Sequence, residues 1–322
     1  MLYFRYVRTT LSNLKAILKE YIVVIPRRLR PGVGLLGTYT PRPVSLGFSQ
    51  PNHKPCSEVL PKISIVVPSF NQGRFLGETL RSIIDQRYQN LELIVVDGGS
   101  TDNTLAVIKL YEAHLDWWVS EPDSGQTAAI NKGFMRSTGE IMAWINSDDL
   151  VASGALHLVA DYFVKHPETQ AVYGDRILIN EESLEIGRWI LPRHSNRVLK
   201  FADFVPQETL YWTRKAWNLI GGQLDETFHF AMDWDFLLQL SKKHINIRHL
   251  PKFLGLFRIH HQQKTSSQLF SIGQQEIKKI RHRELGFQPT RWQLIANIVP
   301  FLLAAKFHEL IYKLCLVRGI RS

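Results

Sequence analysis

Trp144-Ile145-Asn146-Ser147-Asp148-Asp149 closes an apolar run, Ile141-Met142-Ala143-Trp144-Ile145, on two adjacent carboxylates. The pattern reads as a buried strand whose carboxyl end projects acids into a crevice. Adjacent carboxylates repel unless a cation or a hydrogen-bond donor sits between them. Oxygen-rich sites of that kind suit Mg²⁺ or Mn²⁺, which also take phosphate oxygens. A helix start, with Ser147 as N-cap and the acids in the first turn, is the competing reading.

Working outward, Ile63-Ser64-Ile65-Val66-Val67 is a β-branched run fit for a buried parallel strand, stopped by Pro68. Ser69-Phe70-Asn71-Gln72-Gly73 then forms a loop. Phe75 to Gln86 places Leu76, Leu80, Ile83 and Ile84 on one helical face. Leu91 to Val96 is a second strand, closed by Asp97-Gly98-Gly99-Ser100-Thr101-Asp102, after which a helix capped by Ser100 or Thr101 runs to about Tyr111. Strand and helix alternate, and polar residues gather at the strands' carboxyl ends, where open α/β sheets bind ligands. No G-x-G-x-x-G follows a strand and no Walker A sequence is present.

Four segments, Val67-Pro68-Ser69-Phe70-Asn71, Val96 to Asp102, Ser120 to Gln126 with Ala129 to Gly133, and Asn146 to Asp149, together resemble the family 2 glycosyltransferases. The resemblance covers roughly residues 62 to 265. It implies the GT-A fold: a Rossmann-like α/β domain with a mixed, mostly parallel sheet flanked by helices. It also implies a nucleotide-diphospho-sugar donor, a UDP-sugar favoured, held across the carboxyl edge of the sheet. The donor-binding residues it implies are Pro68, Ser69, Phe70, Asn71, Asp97, Gln126, Lys132, Asn146 and Ser147, with Phe70 flanking the base. Many members carry two acids where this chain has Asp97-Gly98, so the identity of the base stays open. Asp102 reads as part of a helix N-terminus, and Asp123 either orients the donor sugar or makes its turn. In the D-x-D position Asn146 replaces the first acid. Asp148, Asp149 and His260 are the implied ligands of Mn²⁺ or Mg²⁺.

Gln170 to Asp175 reads as a further strand and its end, and 181–200 as an Arg-rich loop. Gln207 and Glu208 resemble a family segment that lines the acceptor site. Met232-Asp233-Trp234-Asp235 opens an apolar helix, and two acids two residues apart do not share a face. Sugar transfer with inversion needs one base to take the acceptor hydroxyl proton. The resemblance assigns that role to a carboxylate here, where the usual Glu-Asp is Met232-Asp233; Asp233 is the expected base and Asp235 the alternative. Arg258, His260 and Lys264 together fit an anion.

The chain has 322 residues, 45% of them hydrophobic, and a formal net charge of +10, much of the excess near the ends. Positive excess fits an anionic partner. No nucleic-acid reading motif is present, so phosphorylated substrates or a membrane surface are the expectation and nucleic acid is not. Cys56 and Cys315 lack metal-ligand spacing and point to a reducing compartment. Residues 1–60 read as a basic amphipathic segment and a Pro/Gly-rich linker, 61–285 as the catalytic domain (donor half 61–150, acceptor half 151–285), and 286–322 as amphipathic helices without a clean span. The function expected is a metal-dependent inverting glycosyltransferase acting on a glycan or lipid-linked acceptor in envelope or surface-polysaccharide synthesis, cytoplasmic, with peripheral contact to the inner membrane face. The alternative is a GT-A-like domain that binds nucleotide or glycan without turnover, motivated by Gly98, Asn146 and Met232.

Overall fold

A computed structural model describes residues 39–45, 60–261, 263 and 272–317. The expectations for the N-terminal helix, most of the linker and Lys264 lie outside the described residues.

Strand β1 (Ile63–Ser69) is buried at every position. Its side chains alternate between two cores: Ile63, Ile65 and Val67 join one cluster and Val66 the other. A strand covered on both faces has no polar side to show, which is why its sequence reads as a continuous apolar run. β2 (Leu91–Asp97), β3 (Trp117–Ser120) and β4 (Ile141–Trp144) pair in parallel in the order β3-β2-β1-β4. Between them run α1 (Gly73–Ile84), α2 (Thr104–Tyr111) and α3 (Gln126–Arg136). α3 lies close against β1: a Cβ on Gly133 would sit 2.4 Å from Val66 Cγ1, so only glycine permits the approach.

The sheet continues through β8 (Tyr211–Thr213), β6 (Ala171–Ile179), β9 (Ile247–Arg258) and β5 (Leu150–Val151), with β7 (Glu185–Trp189) beside β6. β8 is antiparallel to both β4 and β6, and β9 is parallel to β6. β6 and β9 therefore run in the direction of β4, and β9 delivers its carboxyl end to the edge where β1 to β4 end. α4 (Ala155–Lys165), α5 (Asn196–Leu199), α6 (Arg214–Leu219), α7 (Met232–Lys242), α8 (Gln274–Leu285) and α9 (Arg291–Val317) complete the described α-helices. Trp144, Trp212, Trp217 and Phe236 pack as mutually tilted rings under α7, their centroids between 4.7 and 6.1 Å apart.

Three expectations are corrected. β6 does not end at Asp175 but runs on to Ile179, because Asp175 is satisfied inside the sheet by His249 Nε2 and the Leu191 N–H, both at 2.9 Å. Residues 181–200 are not all loop: they contain β7, which completes the β6 edge, and α5. The C-terminal segment is one continuous helix, α9, that passes through Pro300, and by length and composition Arg291–Leu314 is apolar enough to cross a membrane. Ile298, Phe301 and Ala305 of α9 are buried against the domain, while Trp292, Leu303, Phe307, Leu310 and Leu314 are exposed.

Candidate active site

The carboxyl ends of β1, β2 and β4 and the segment after β9 assemble the candidate site. Asn146 to Asp149 is a turn and not a helix start, closed by the Asp149 N–H donating to the Asn146 carbonyl at 3.1 Å. The Thr79 hydroxyl lies 2.9 Å from the Ser147 carbonyl and 2.8 Å from that of Asp149, tying the turn to α1. Ser147 is itself buried.

The two adjacent acids are treated differently. Asp148 directs Oδ2 to His260 Nε2 at 2.8 Å. Its carboxylate keeps some exposure, 17%, against 2% for the imidazole, which is tilted over Phe75 at 4.8 Å between centroids. Asp149 is buried; Oδ1 accepts the Arg258 N–H at 3.0 Å and Oδ2 the Asn146 amide at 3.3 Å. Burial, then the charges of Asp148 and Glu208, push its carboxyl well above the usual range. Both Asp149 oxygens are thus engaged inside the protein, whereas Asp148 and His260 converge.

A chain of side-chain amides braces the turn. Gln126 Nε2 donates to Asn146 Oδ1 at 2.7 Å, Asn146 Nδ2 to Gln207 Oε1 at 3.1 Å, and Gln207 Nε2 to the Trp144 carbonyl at 2.7 Å. Asn in place of an acid at 146 allows this, because an amide donates and accepts where a carboxylate only accepts. Glu208 is buried and paired through both oxygens with Arg176, whose guanidinium stacks over Phe257. Gln207 and Glu208, read from sequence as acceptor residues, are therefore part of the framework behind the turn.

Arg258 has no exposed surface. It donates to the Asp148 carbonyl at 2.9 Å, to Glu78 and Ser183 at 2.8 Å each, and to the carbonyls of Asn180 and Glu181. With its donors so placed it is a structural clamp, and the expectation that it joins an anion site is corrected. Lys132 is paired with Glu121 at 2.7 Å.

At the β1 and β2 ends, Pro68 and Ser69 are buried in β1 while Phe70 stands 60% exposed. Asn71 adopts φ +52°, a conformation Asn tolerates, held by its N–H on Ser100 Oγ and its Oδ1 under the Thr101 N–H. Asp97 is fully buried and accepts from the Ser100 N–H, the Ser100 hydroxyl and the Ser120 hydroxyl. Asp102 accepts from the N–H groups of Gly73 and Thr104, so it caps α1 and α2 together.

On the acceptor side, α7 begins at Met232. The Trp234 N–H donates to Asp233 Oδ1 at 2.8 Å, and Asp233 remains partly exposed. Asp235 is buried and paired with Arg283. Desolvation, then the charge of Asp233, raises the carboxyl of Asp203 well above its usual range. The segment just ahead of α7 is held by Glu276 of α8, which accepts from the N–H groups of His229, Phe230 and Ala231 at 2.8, 2.9 and 2.8 Å. Sequence reading missed Glu276, Arg176 and Glu78, which act across long stretches of chain with no local pattern.

Among the described residues no group of three or more His, Cys, Asp or Glu converges as a complete metal cage. Asp148 and His260 supply one carboxylate oxygen and one imidazole nitrogen 2.8 Å apart. That separation is close to what two ligands at about 2.0–2.2 Å from one ion require. A hard divalent ion commonly takes one or two carboxylates and completes its shell with phosphate and water, so the pair fits one.

Residues 64–223 match the family model described as glycosyl transferase family 2. The chain belongs to that family. The chain is 26% identical over 249 residues to a chondroitin synthase of Escherichia coli, covering 74% of this chain and 35% of that protein. It is 30% identical over 194 residues to a hyaluronan synthase of Pasteurella multocida, covering 58% and 20%. The chain thus spans about a third or less of these synthases. A Mycobacterium tuberculosis PGL/p-HBAD biosynthesis glycosyltransferase is 29% identical over 180 residues, covering 55% of this chain and 68% of its own length. Among solved structures, S. aureus TarS residues 1–349 in complex with UDP-GlcNAc superposes with a TM-score of 0.59 at 19% identity, covering 76% and 72%. A Pyrobaculum calidifontis mannosyltransferase in complex with GDP-Man and Mn²⁺ gives 0.51 at 17%, covering 94% and 80%. These likenesses establish the GT-A fold expected from the sequence motifs.

Proposed function

We propose that this glycosyltransferase moves a sugar from a nucleotide-diphospho-sugar, a UDP-sugar favoured, to a hydroxyl of a glycan or lipid-linked acceptor, with inversion at the anomeric carbon. The observation that carries the reading is the convergence of Asp148 and His260 at the edge where β1, β2 and β4 end. Mn²⁺ or Mg²⁺ held by this pair would neutralise the departing diphosphate. Asp149 sits behind Asp148 and orders the turn. Phe70 offers its exposed ring to the base.

Asp233 is the proposed base. It is the α7 acid that keeps solvent contact, and Asp235, the alternative, is paired with Arg283. The acceptor oxygen forms its bond to the anomeric carbon as the bond from that carbon to the phosphate oxygen breaks. The hydroxyl proton passes to Asp233, and the nucleoside diphosphate leaves with the bonding pair. No covalent sugar–enzyme intermediate is involved.

The exposed apolar stripe of α9, bordered by Lys306 and Lys313, which share Glu309 as their ion-pair partner, supports contact with a membrane face. Its opposite stripe is already covered by the domain, which favours a helix lying along the surface over one crossing it. Polysaccharide-synthase relatives and this stripe together favour an envelope or surface-glycan product.

The test is calorimetric titration of UDP, GDP and dTDP with and without Mn²⁺, followed by turnover assays on Asp233→Asn. Metal-dependent binding of one nucleotide, and a variant that binds donor normally but transfers no sugar, are the expected results. Loss of donor affinity in Asp233→Asn would reassign that residue to structure.

A further inference from the structure

Three loops meet at the carboxyl ends of β1, β2 and β3. The Gly98 N–H donates to the Ser69 carbonyl at 2.9 Å, joining the first two. The third approaches through Asp123: a Cβ built on Gly98 would lie 2.9 Å from Asp123 Oδ2 and 3.2 Å from its Cγ. The carboxylate of Asp123 therefore occupies the space that any side chain at 98 would fill. One of its oxygens, Oδ1, accepts the Gly125 N–H at 2.8 Å and fixes the group. No hydrogen bond to Oδ2 is made among the described residues.

Asp97 is in the opposite condition. It has no exposed surface, and the Ser100 N–H and the hydroxyls of Ser100 and Ser120 already saturate most of its lone pairs. A ligand could reach it only by dismantling the loop. Beside it in register, Ser69 carries a buried hydroxyl without a partner among the described residues.

We propose that Asp123, and not Asp97, reads the base of the donor, and that the base is one with a single ring N–H between two carbonyls, uracil or thymine. This rests on the nucleotide-sugar reading above. Exposed Phe70 supplies the flat apolar surface and Gly98 the floor. Asp123 Oδ2 accepts the ring N–H. The chemistry discriminates. Guanine presents two adjacent N–H groups that want both carboxylate oxygens, and Gly125 already holds one. Cytosine presents an acceptor at the corresponding ring nitrogen, which repels a carboxylate.

The experiment is calorimetric titration of the full chain, with Mn²⁺, against UDP, dTDP, GDP, CDP and N3-methyluridine diphosphate, repeated on Asp123→Asn. Asn keeps the Oδ1 acceptor for Gly125, so the turn survives, and circular dichroism checks that it does. The wild type should prefer UDP or dTDP, and methylation of N3 should weaken UDP by about tenfold to a hundredfold, the range for a hydrogen bond to a charged group. Asp123→Asn should lose that preference, gain on CDP, and no longer distinguish methylated from unmethylated UDP. Equal UDP affinity in wild type and Asp123→Asn, with methylation costing the same in both, overturns the assignment while leaving the nucleotide-sugar reading intact. A wild-type preference for GDP or CDP overturns the choice of base. Failure of every nucleotide to bind folded protein overturns the nucleotide-sugar reading and this inference with it.

Discussion

Glu276 offers the sharpest test of how the acceptor half is held. One carboxylate receives three consecutive backbone N–H groups, those of His229, Phe230 and Ala231, immediately before the helix that carries Asp233. Hydrogen bonds to a charged group contribute about 1.5–3 kcal/mol each. They do not count equally here. The Ala231 N–H is buried and has no recourse to water, whereas His229 is exposed and Phe230 partly so. Taking the full value once, a smaller share of about 0.5–1 kcal/mol for each of the others, and a similar amount for the charge at the helix N-terminus, Glu276→Ala should cost about 3–6 kcal/mol. Glu276→Gln keeps an acceptor of the same shape but turns an NH₂ toward at least one N–H, and should cost about 1.5–3 kcal/mol. At about 2–4 °C per kcal/mol for a domain of this size, the Gln variant should melt roughly 3–12 °C lower. Thermal unfolding followed by circular dichroism reads this without reference to catalysis. Turnover should fall while the Kd for donor nucleotide holds, because Glu276 braces α7 and not the β1–β4 edge. A Gln variant that melts within about 1 °C of wild type would refute the bracing role, since no residual network could hide so large a term.

Other outcomes follow from the same geometry. Asp148→Asn should abolish the Mn²⁺ dependence of nucleotide binding, read by titration with and without the ion, and retained wild-type transfer would remove it from the metal site. Arg258→Lys keeps the charge but cannot reach the Asp148 carbonyl, Glu78, Ser183 and the Asn180 and Glu181 carbonyls together; it should cost about 2–4 kcal/mol in urea unfolding and weaken Mn²⁺ binding as the turn loosens. Burial alone would raise the Glu92 carboxyl, but the bonds from Lys62, Ser64 and Thr138 outweigh it and bring the pKa from 4.5 to about 2. A depressed folded value means stability present above pH 4.5 and lost as pH falls toward about 2. Lys62→Met should flatten that acid limb of the urea midpoint, and an unchanged limb would acquit the pair. Leu303→Glu with Phe307→Glu should reduce co-sedimentation with anionic vesicles by about tenfold or more, as two apolar side chains leave the interface.

The parallel half of the sheet was legible because its residues do one thing throughout. β1 and β2 are buried on both faces, so an unbroken β-branched run is the only pattern available, and their polar ends follow from it. The acceptor half was less so. β7 is five residues with charges at Glu185 and Arg188 and no strand periodicity, and it exists because Glu185 is locked between Arg42 and Arg188 and because β6 continues past Asp175. Asp175 looks like a strand end by its charge, and only His249, 74 residues away, shows why a carboxylate sits mid-strand. Such pairs leave no trace at helical or strand spacing.

Asp148 and Asp149 concentrate the difference. In sequence they are indistinguishable neighbours, and both read as metal ligands. Successive side chains in a turn leave in different directions, and what each meets decides its chemistry. Asp149 meets the backbone of Arg258 and the amide of Asn146, so its carboxyl is held inside the fold, where burial raises its pKa. Asp148 meets His260 at a surface still open to solvent. The residue that forces the split is Arg258. Its own N–H takes Asp149, its guanidinium takes the Asp148 carbonyl, and two residues later the same strand end presents His260. One arginine thus fixes which acid orders the turn and which is left to face a ligand, and that division follows from three long-range contacts and no local motif.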